Sequence, residues 1–146
     1  IIMTLNISPE TKIGKIQNWD AERWIKGEDV GTYTIVGKDD TYEYTKEELA
    51  EVIKDSNLGV PANGVLYNQD KPGLIADILN DWFDKRVEFR ELEKKYGEEG
   101  DTEKYEFYAK RQLVQKILLN SMYGVLGLPA FRFYDIDNAE AVTITG

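Results

Sequence analysis

Residues 116–124 read Lys-Ile-Leu-Leu-Asn-Ser-Met-Tyr-Gly, KILLNSMYG, late in a segment with helical patterning. On a helix from Gln112 to Tyr123, Lys116, Asn120 and Tyr123 fall at i, i+4 and i+7 and share one face. That face offers a cation, an amide and a phenol in a row. Leu113, Val114, Ile117, Leu118 and Met122 make an apolar face expected to pack inward, and the Tyr123-Gly124 step is the expected break.

The sequence just before this stretch supplies a partner helix. From Gly73 to about Tyr96, apolar residues from Leu74 through Leu92 recur at helical spacing. Roughly 24 residues at 1.5 Å rise give a rod of about 36 Å. Gly97-Glu98-Glu99-Gly100 interrupts it, and Asp101 or Thr102 can cap a second helix reaching about Tyr123. Two long helices joined by so tight a turn form an αα-hairpin. Trp82, Phe83, Tyr105, Tyr108, Leu113 and Ile117 are its expected seam.

The 146 residues suffice for one modest core, and 42 % hydrophobic with 31 % charged residues describes a folded segment. Without cysteine or histidine there is no disulfide framework and a zinc site is disfavoured. No apolar run approaches the roughly 20 residues of a membrane helix. The net charge of −9 argues against binding nucleic acid through bulk electrostatics. Residues 1–70 carry net −6 and residues 71–146 net −3, so a phosphate site has to be local and belongs in the second half.

Residues 1–11, IIMTLNISPET, suggest a buried strand end and a turn at Ser8-Pro9. Asn18 to Lys26 suits a short helix placing Trp19 and Trp24 on neighbouring turns. Thr32–Val36 and Thr41–Tyr44 alternate across Gly37-Lys38-Asp39-Asp40, a β-hairpin expected to be an exposed decoration. Thr45 with Glu48 forms a capping box for a helix to Asp55, and Gly64 to Tyr67 reads as a strand. Phe131 to Tyr134 is strand-like, and Asn138 is a candidate cap for a last helix from Ala139.

Arg86 and Arg90 stand at i, i+4 on the first long helix and are expected to face the same way. Set against Lys116 and Asn120 in an antiparallel hairpin, they gather three cations and an amide, which suits a triphosphate. The competing reading pairs both arginines with Asp84, Glu88 or Glu93 as a solvated surface.

Residues 116–146 resemble motif B and the following segment of family B DNA polymerases, particularly the tailed-phage branch. Lys-x-x-x-Asn-Ser-x-Tyr-Gly is present at every specified position, and Phe131 to Thr143 nearly matches the phage-type continuation. Residues 1–11 resemble the tail of motif A, whose metal-binding aspartate and sugar-discriminating tyrosine fall before residue 1; Asn63 to Ile75 resembles the lead-in to the fingers.

The resemblance implies an α+β fold: a long antiparallel fingers helix hairpin, flanking palm-derived strands and a short β-hairpin. It divides the chain into the end of the motif A segment (1–15), a variable insertion (16–62), the fingers strand and hairpin ending in motif B (63–124) and the re-entry to the palm (125–146). It assigns Arg86, Arg90, Lys116 and Asn120 to the incoming nucleotide, with Lys116 also counted as catalytic, and Tyr123 and Gly124 to the nascent base pair and template. A slip of one position would move the first cation to Lys85. Asp135 and Asp137 form an Asp-x-Asp but receive no metal; Mg2+ is expected on parts of the parent enzyme outside this chain.

The implied function is a fingers/palm fragment of a DNA-directed DNA polymerase, inactive alone. Its implied partners are a deoxynucleoside triphosphate, primer-template DNA and the remaining palm, thumb and exonuclease parts. The implied location is cytoplasmic, in the host cytoplasm if viral, with no membrane. The alternatives are a non-catalytic fingers-like interaction module or one chain of a split polymerase.

Overall fold

The computed structural model describes residues 1–146. The elements in order are α1 (Ile2–Leu5), β1 (Lys12–Ile16), α2 (Ala21–Ile25), β2 (Tyr33–Gly37), β3 (Thr41–Tyr44), α3 (Lys46–Asp55), β4 (Leu58–Gly59), β5 (Val65–Asn68), α4 (Leu74–Glu99), α5 (Thr102–Leu126) and α6 (Ile136–Thr145). The five strands make one antiparallel sheet in the order β3-β2-β1-β5-β4. The fold is α+β, a sheet with a long helix pair rising from it.

Alternation along the strands sorts side chains between two layers. Leu66 and Ile16 join Tyr33, Ile35 and Leu49 on the face covered by α2 and α3. Val65 and Tyr67 point the other way, onto Ile7 and Ala141 beside α1 and α6. The β2–β3 hairpin therefore differs from the exposed decoration expected of it. Of its two strands, β3 is an edge of the sheet, whereas β2 also pairs with β1 and buries Tyr33 and Ile35.

The first residues form a helical turn instead of a strand end, because Asn6 takes the left-handed conformation (φ 53°) and its N–H returns to the Ile2 and Met3 carbonyls. Trp19 precedes α2, which Asp20 caps, and its ring lies 5.2 Å from that of Trp24. The Thr45–Glu48 capping box forms as expected. Phe131 to Tyr134 is not a strand: the N–H groups of Phe131 and Tyr134 donate to Leu128 and Phe131 carbonyls in consecutive turns. The last helix starts at Ile136, capped by Asp135, because Asn138 is committed elsewhere.

The hairpin is longer than the sequence suggested at both ends. Gly97 stays helical, and Gly100, at φ 76°, makes the break; a left-handed position of this kind favours glycine. Asp101 caps α5, accepting from the Lys104 N–H at 3.2 Å. α5 runs through Gly124 and ends at Leu126.

Its base rests on Ile75, Leu79 and Leu126, with Ile2, Trp82, Leu119, Met122 and Phe131 around them. The N-terminus of α4 has no cap of its own at Gly73. Residues from the first loop serve instead. Asn6 Oδ1 accepts from the Gly73 N–H at 2.7 Å, Glu10 accepts from the Leu74 N–H, and Ser8 Oγ accepts from the Ile75 N–H at 3.4 Å. Three otherwise orphaned donors are thus satisfied by one short segment.

At the sheet end, Lys12 Nζ lies 2.7 Å from Asp135 and 2.9 Å from Asp137, and Lys15 Nζ lies 2.9 Å from Asp137. Burial alone would raise the Asp137 pKa, but hydrogen bonds from Lys12 and Lys15 and their charges outweigh it, and the value lies below the ordinary 3.8. A carboxylate lowered in the fold contributes stability above its unfolded pKa and loses it as pH falls through the folded one. Thermal melts should therefore show an acid-side loss below about pH 4, flattened in Asp137→Asn, which should also melt lower at pH 7. Equal acid slopes in the two proteins would remove this pair from the account.

Candidate functional site

The seam between α4 and α5 uses two of the six residues expected in it, Trp82 and Tyr108. Phe83, Tyr105, Leu113 and Ile117 are exposed, whereas Trp82, Arg86, Phe89, Leu92 and Tyr96 on α4 turn inward with Tyr108, Gln112, Gln115, Leu119 and Met122 on α5. The tip is closed by aromatic contacts: Tyr96 stacks on Tyr108 at 5.6 Å, and Phe89 lies 6.2 Å from Tyr108. The expected inward face of α5 points to solvent at Leu113, Val114, Ile117 and Leu118, which are 50, 56, 55 and 37 % exposed. Met122 does pack inward, at the base.

Arg86 and Arg90 do not face alike. Arg86 is half-buried, with its Nε enclosed and without a hydrogen-bond partner. Arg90 is exposed on one flank, in a groove with Val87, Glu91, Glu93, Lys94 and Tyr105. Lys116 lies about three helical turns after Tyr105, and Tyr123 lies about five turns after Tyr105, so both belong to the flank that holds Arg90. Asn120 is exposed between them in sequence. Lys85 lies on the opposite flank, beside Phe89 and Arg111, in an ion pair with Asp81 at 2.9 Å.

The other cations of the hairpin are engaged within it: Lys95 lies over the Tyr96 ring, Arg111 lies over that of Phe107, and the rest pair with acids. Lys85, Lys94 and Lys110 pair with acids one turn away on their own helix. Arg86, Arg90 and Lys116 stand in no ion pair, so the pairing with Asp84, Glu88 or Glu93 does not form.

Tyr123 is anchored across the re-entry, its hydroxyl 2.6 Å from Thr143 Oγ1 on α6. Gly124 lies within the helix, and a Cβ built there would meet nothing within 4 Å. Asn138, fully buried, accepts from the Tyr67 hydroxyl at 2.5 Å and ties α6 to β5. Burial first, then the charges of Asp135 and Asp137, raise the Tyr67 pKa above its ordinary value, so the phenol stays a donor.

Asp135 and Asp137 do not suit a divalent cation, because lysine ammonium groups already occupy them. No three His, Cys, Asp or Glu side chains converge into a metal-holding group. No helix is long and apolar enough to cross a membrane.

Sequence reasoning missed Asn6, Ser8 and Glu10 as the capping segment of α4, and Thr143 and Gln115 as neighbours of the site. Ser8-Pro9 was readable as a turn, but not as part of a cap serving a helix more than sixty residues on.

A helical hairpin standing on an antiparallel sheet, with Lys-x-x-x-Asn-Ser-x-Tyr-Gly along one flank, marks a nucleic-acid polymerase segment. The chain belongs to DNA polymerase family B, whose family model matches residues 1–146. It is similar to the DNA-directed DNA polymerase of Escherichia phage RB69, 30 % identical over the whole chain and 19 % of that relative. It is 30 % identical to the DNA polymerase of Phaeocystis pouchetii virus over 87 % of the chain and 12 % of that protein. A 35-residue stretch, 24 % of the chain and 4 % of the relative, is 60 % identical to the DNA-directed DNA polymerase of Enterobacteria phage T4. The chain thus spans a fifth or less of these relatives.

Proposed function

We propose that this chain is the fingers and adjoining palm of a template-directed DNA polymerase, where it binds the incoming deoxynucleoside triphosphate and checks the nascent base pair during replication. On this reading Arg86, Arg90 and Lys116 take phosphate oxygens, and Asn120 supports Lys116. Tyr123 lies against the new base pair, and Gly124 leaves room for the template. Residues 16–62 are an insertion joined to the same sheet.

The observation that carries the reading is that Arg86, Arg90 and Lys116, alone among the cations of the hairpin, are neither in an ion pair nor over an aromatic ring, in a chain of net charge −9. Cations left free where acids are in excess are available to an anion, and guanidinium forks match phosphate oxygens. Gly124 adds support. Glycine inside a helix costs about 1 kcal/mol against alanine, and nothing in the chain itself crowds that position.

Phosphoryl transfer is governed by positioning and charge stabilisation. This chain supplies the cationic, shape-reading part. In this reading Mg2+ belongs to carboxylates elsewhere in the polymerase, and the 146 residues alone do not extend a primer.

The test is a titration of the 15N-labelled chain with deoxyadenosine triphosphate. Lys116, Asn120, Tyr123 and the Arg86 and Arg90 side chains should shift saturably, while Lys94 and Lys110 stay still. Equal response to the monophosphate would overturn the reading, because the cations would then not be counting phosphates.

The outward apolar face of α5 favours a second reading, a non-catalytic interaction module or one chain of a split polymerase. In the interaction module Arg90 and Lys116 are dispensable while a charge at Val114 is not tolerated; in a split polymerase, mixing with the remaining pieces restores primer extension.

A further inference from the structure

We propose that Gln115 is the positioning residue for Arg86: its amide oxygen takes the Arg86 Nε–H and so aims the terminal fork of the guanidinium at the triphosphate. The proposal rests on the nucleotide-binding reading above and assigns a role to a residue outside the motif.

Two polar atoms in the hairpin seam lack partners. One is a donor, Arg86 Nε; the other is an acceptor, Gln115 Oε1; both are shut off from solvent. Buried polar atoms without partners are uncommon in folded proteins, and each carries a desolvation penalty. Their placement is complementary. Arg111 lies over the Phe89 ring at 6.0 Å, which fixes the level at which the two helices face each other. Because the helices are antiparallel, one turn onward from Arg111 on α5 meets one turn back from Phe89 on α4. Those positions are Gln115 and Arg86. The groove that holds Lys85 and Phe89 together with Arg111 and Gln115 has the same register.

The chemistry of the guanidinium explains what the contact does. Its donors form a rigid planar set, so fixing Nε–H fixes the direction of the two terminal amino groups. Gln112 shares the seam, but Gln115 Oε1 is the acceptor that is buried there without a partner, which makes it the complement of Nε. A guanidinium held this way meets phosphate as a bidentate fork instead of searching rotamers. Lys116, the next residue, carries the neighbouring charge out to the flank, so one helical turn of α5 both orients one cation and presents another.

The experiment follows the Arg86 Nε–H resonance and deoxyadenosine triphosphate affinity by NMR in the 146-residue chain. In the wild type, nucleotide should move that resonance downfield as the bond to Gln115 forms. Gln115→Met keeps the length of the side chain but has no amide acceptor; it should lose that shift and bind about tenfold more weakly. Gln115→Glu, which restores an acceptor, should recover both, and a purely structural role would not produce that recovery. Wild-type affinity with an unchanged Arg86 shift in Gln115→Met would overturn the proposal, as would failure of Gln115→Glu to recover either property. If the wild type binds no nucleotide, the nucleotide-binding reading falls and this proposal falls with it. If the wild type binds and Arg90→Ala weakens binding while the Gln115 variants do not, only the Gln115 role is lost.

Discussion

Replacing Lys116 by alanine should reduce nucleotide incorporation by a polymerase carrying this segment about 100- to 1000-fold in kcat/KM, without lowering the stability of the fold. The magnitude is that of removing one preorganised charge or donor from a transition state in which negative charge develops. The neutrality toward stability follows from the surroundings of the side chain: Lys116 is exposed and stands in no ion pair. Lys116→Arg keeps the charge but replaces a compact ammonium by a broad plane, and should recover only part of the rate. Single-turnover primer extension measures the effect, with a thermal melt as control. A loss of less than about threefold would remove Lys116 from the phosphate site.

Tyr67→Ala should cost about 3–5 kcal/mol of folding stability, the range for removing a buried aromatic ring. A small domain has little more than that to lose. Tyr67 is completely buried, packs among Ile7, Val65 and Ala141, and donates its hydroxyl to Asn138. Removing the ring leaves a cavity between sheet and α6. It also strips a buried amide, whose Nδ2 already lacks a partner, of its remaining one. Tyr67→Phe isolates the second effect at about 1–3 kcal/mol. Urea unfolding followed by tryptophan fluorescence reads both; a loss below about 1 kcal/mol for Tyr67→Ala would mean that α6 is not held through this residue.

The two long helices, the tight turn and the α+β class were legible because amphipathic periodicity, a glycine at the reversal and a capping aspartate are local signals. Most of the seam was not. Apolarity favoured Leu113 and Ile117, yet the inward track of an antiparallel pair is set by alternating three- and four-residue steps, and that track passes through Arg86, Gln112 and Gln115. A polar residue on an inward track looks like surface when only its chemistry is considered. Phe131 to Tyr134 misled for the converse reason: aromatic residues favour strands on average, but here consecutive turns deliver the chain to the Asp135 cap.

Of the candidate site, Lys116, Asn120 and Tyr123 could be placed on a common side from spacing alone. Arg86 and Arg90 could not, because a 40° offset on a helix is the difference between the seam and its rim. The α4 cap was invisible for another reason, since its acceptors come from Asn6, Ser8 and Glu10, remote in sequence.

That remote cap gives the hairpin a fulcrum. With the first donors of α4 fastened to one short loop and the far end free, any tilt of the rod is geared by distance from the pivot. Arg86 lies about 18 Å along the axis from Leu74, and the reversal about 38 Å. A tilt of about 10° therefore carries the Arg86 level by about 3 Å and the reversal by about 7 Å, while Gly73 hardly moves. A stroke of hydrogen-bond length at the cations therefore corresponds to only a small change of angle at the base, where Asn6, Ser8 and Glu10 hold the first donors and Ile75, Leu79 and Leu126 pack.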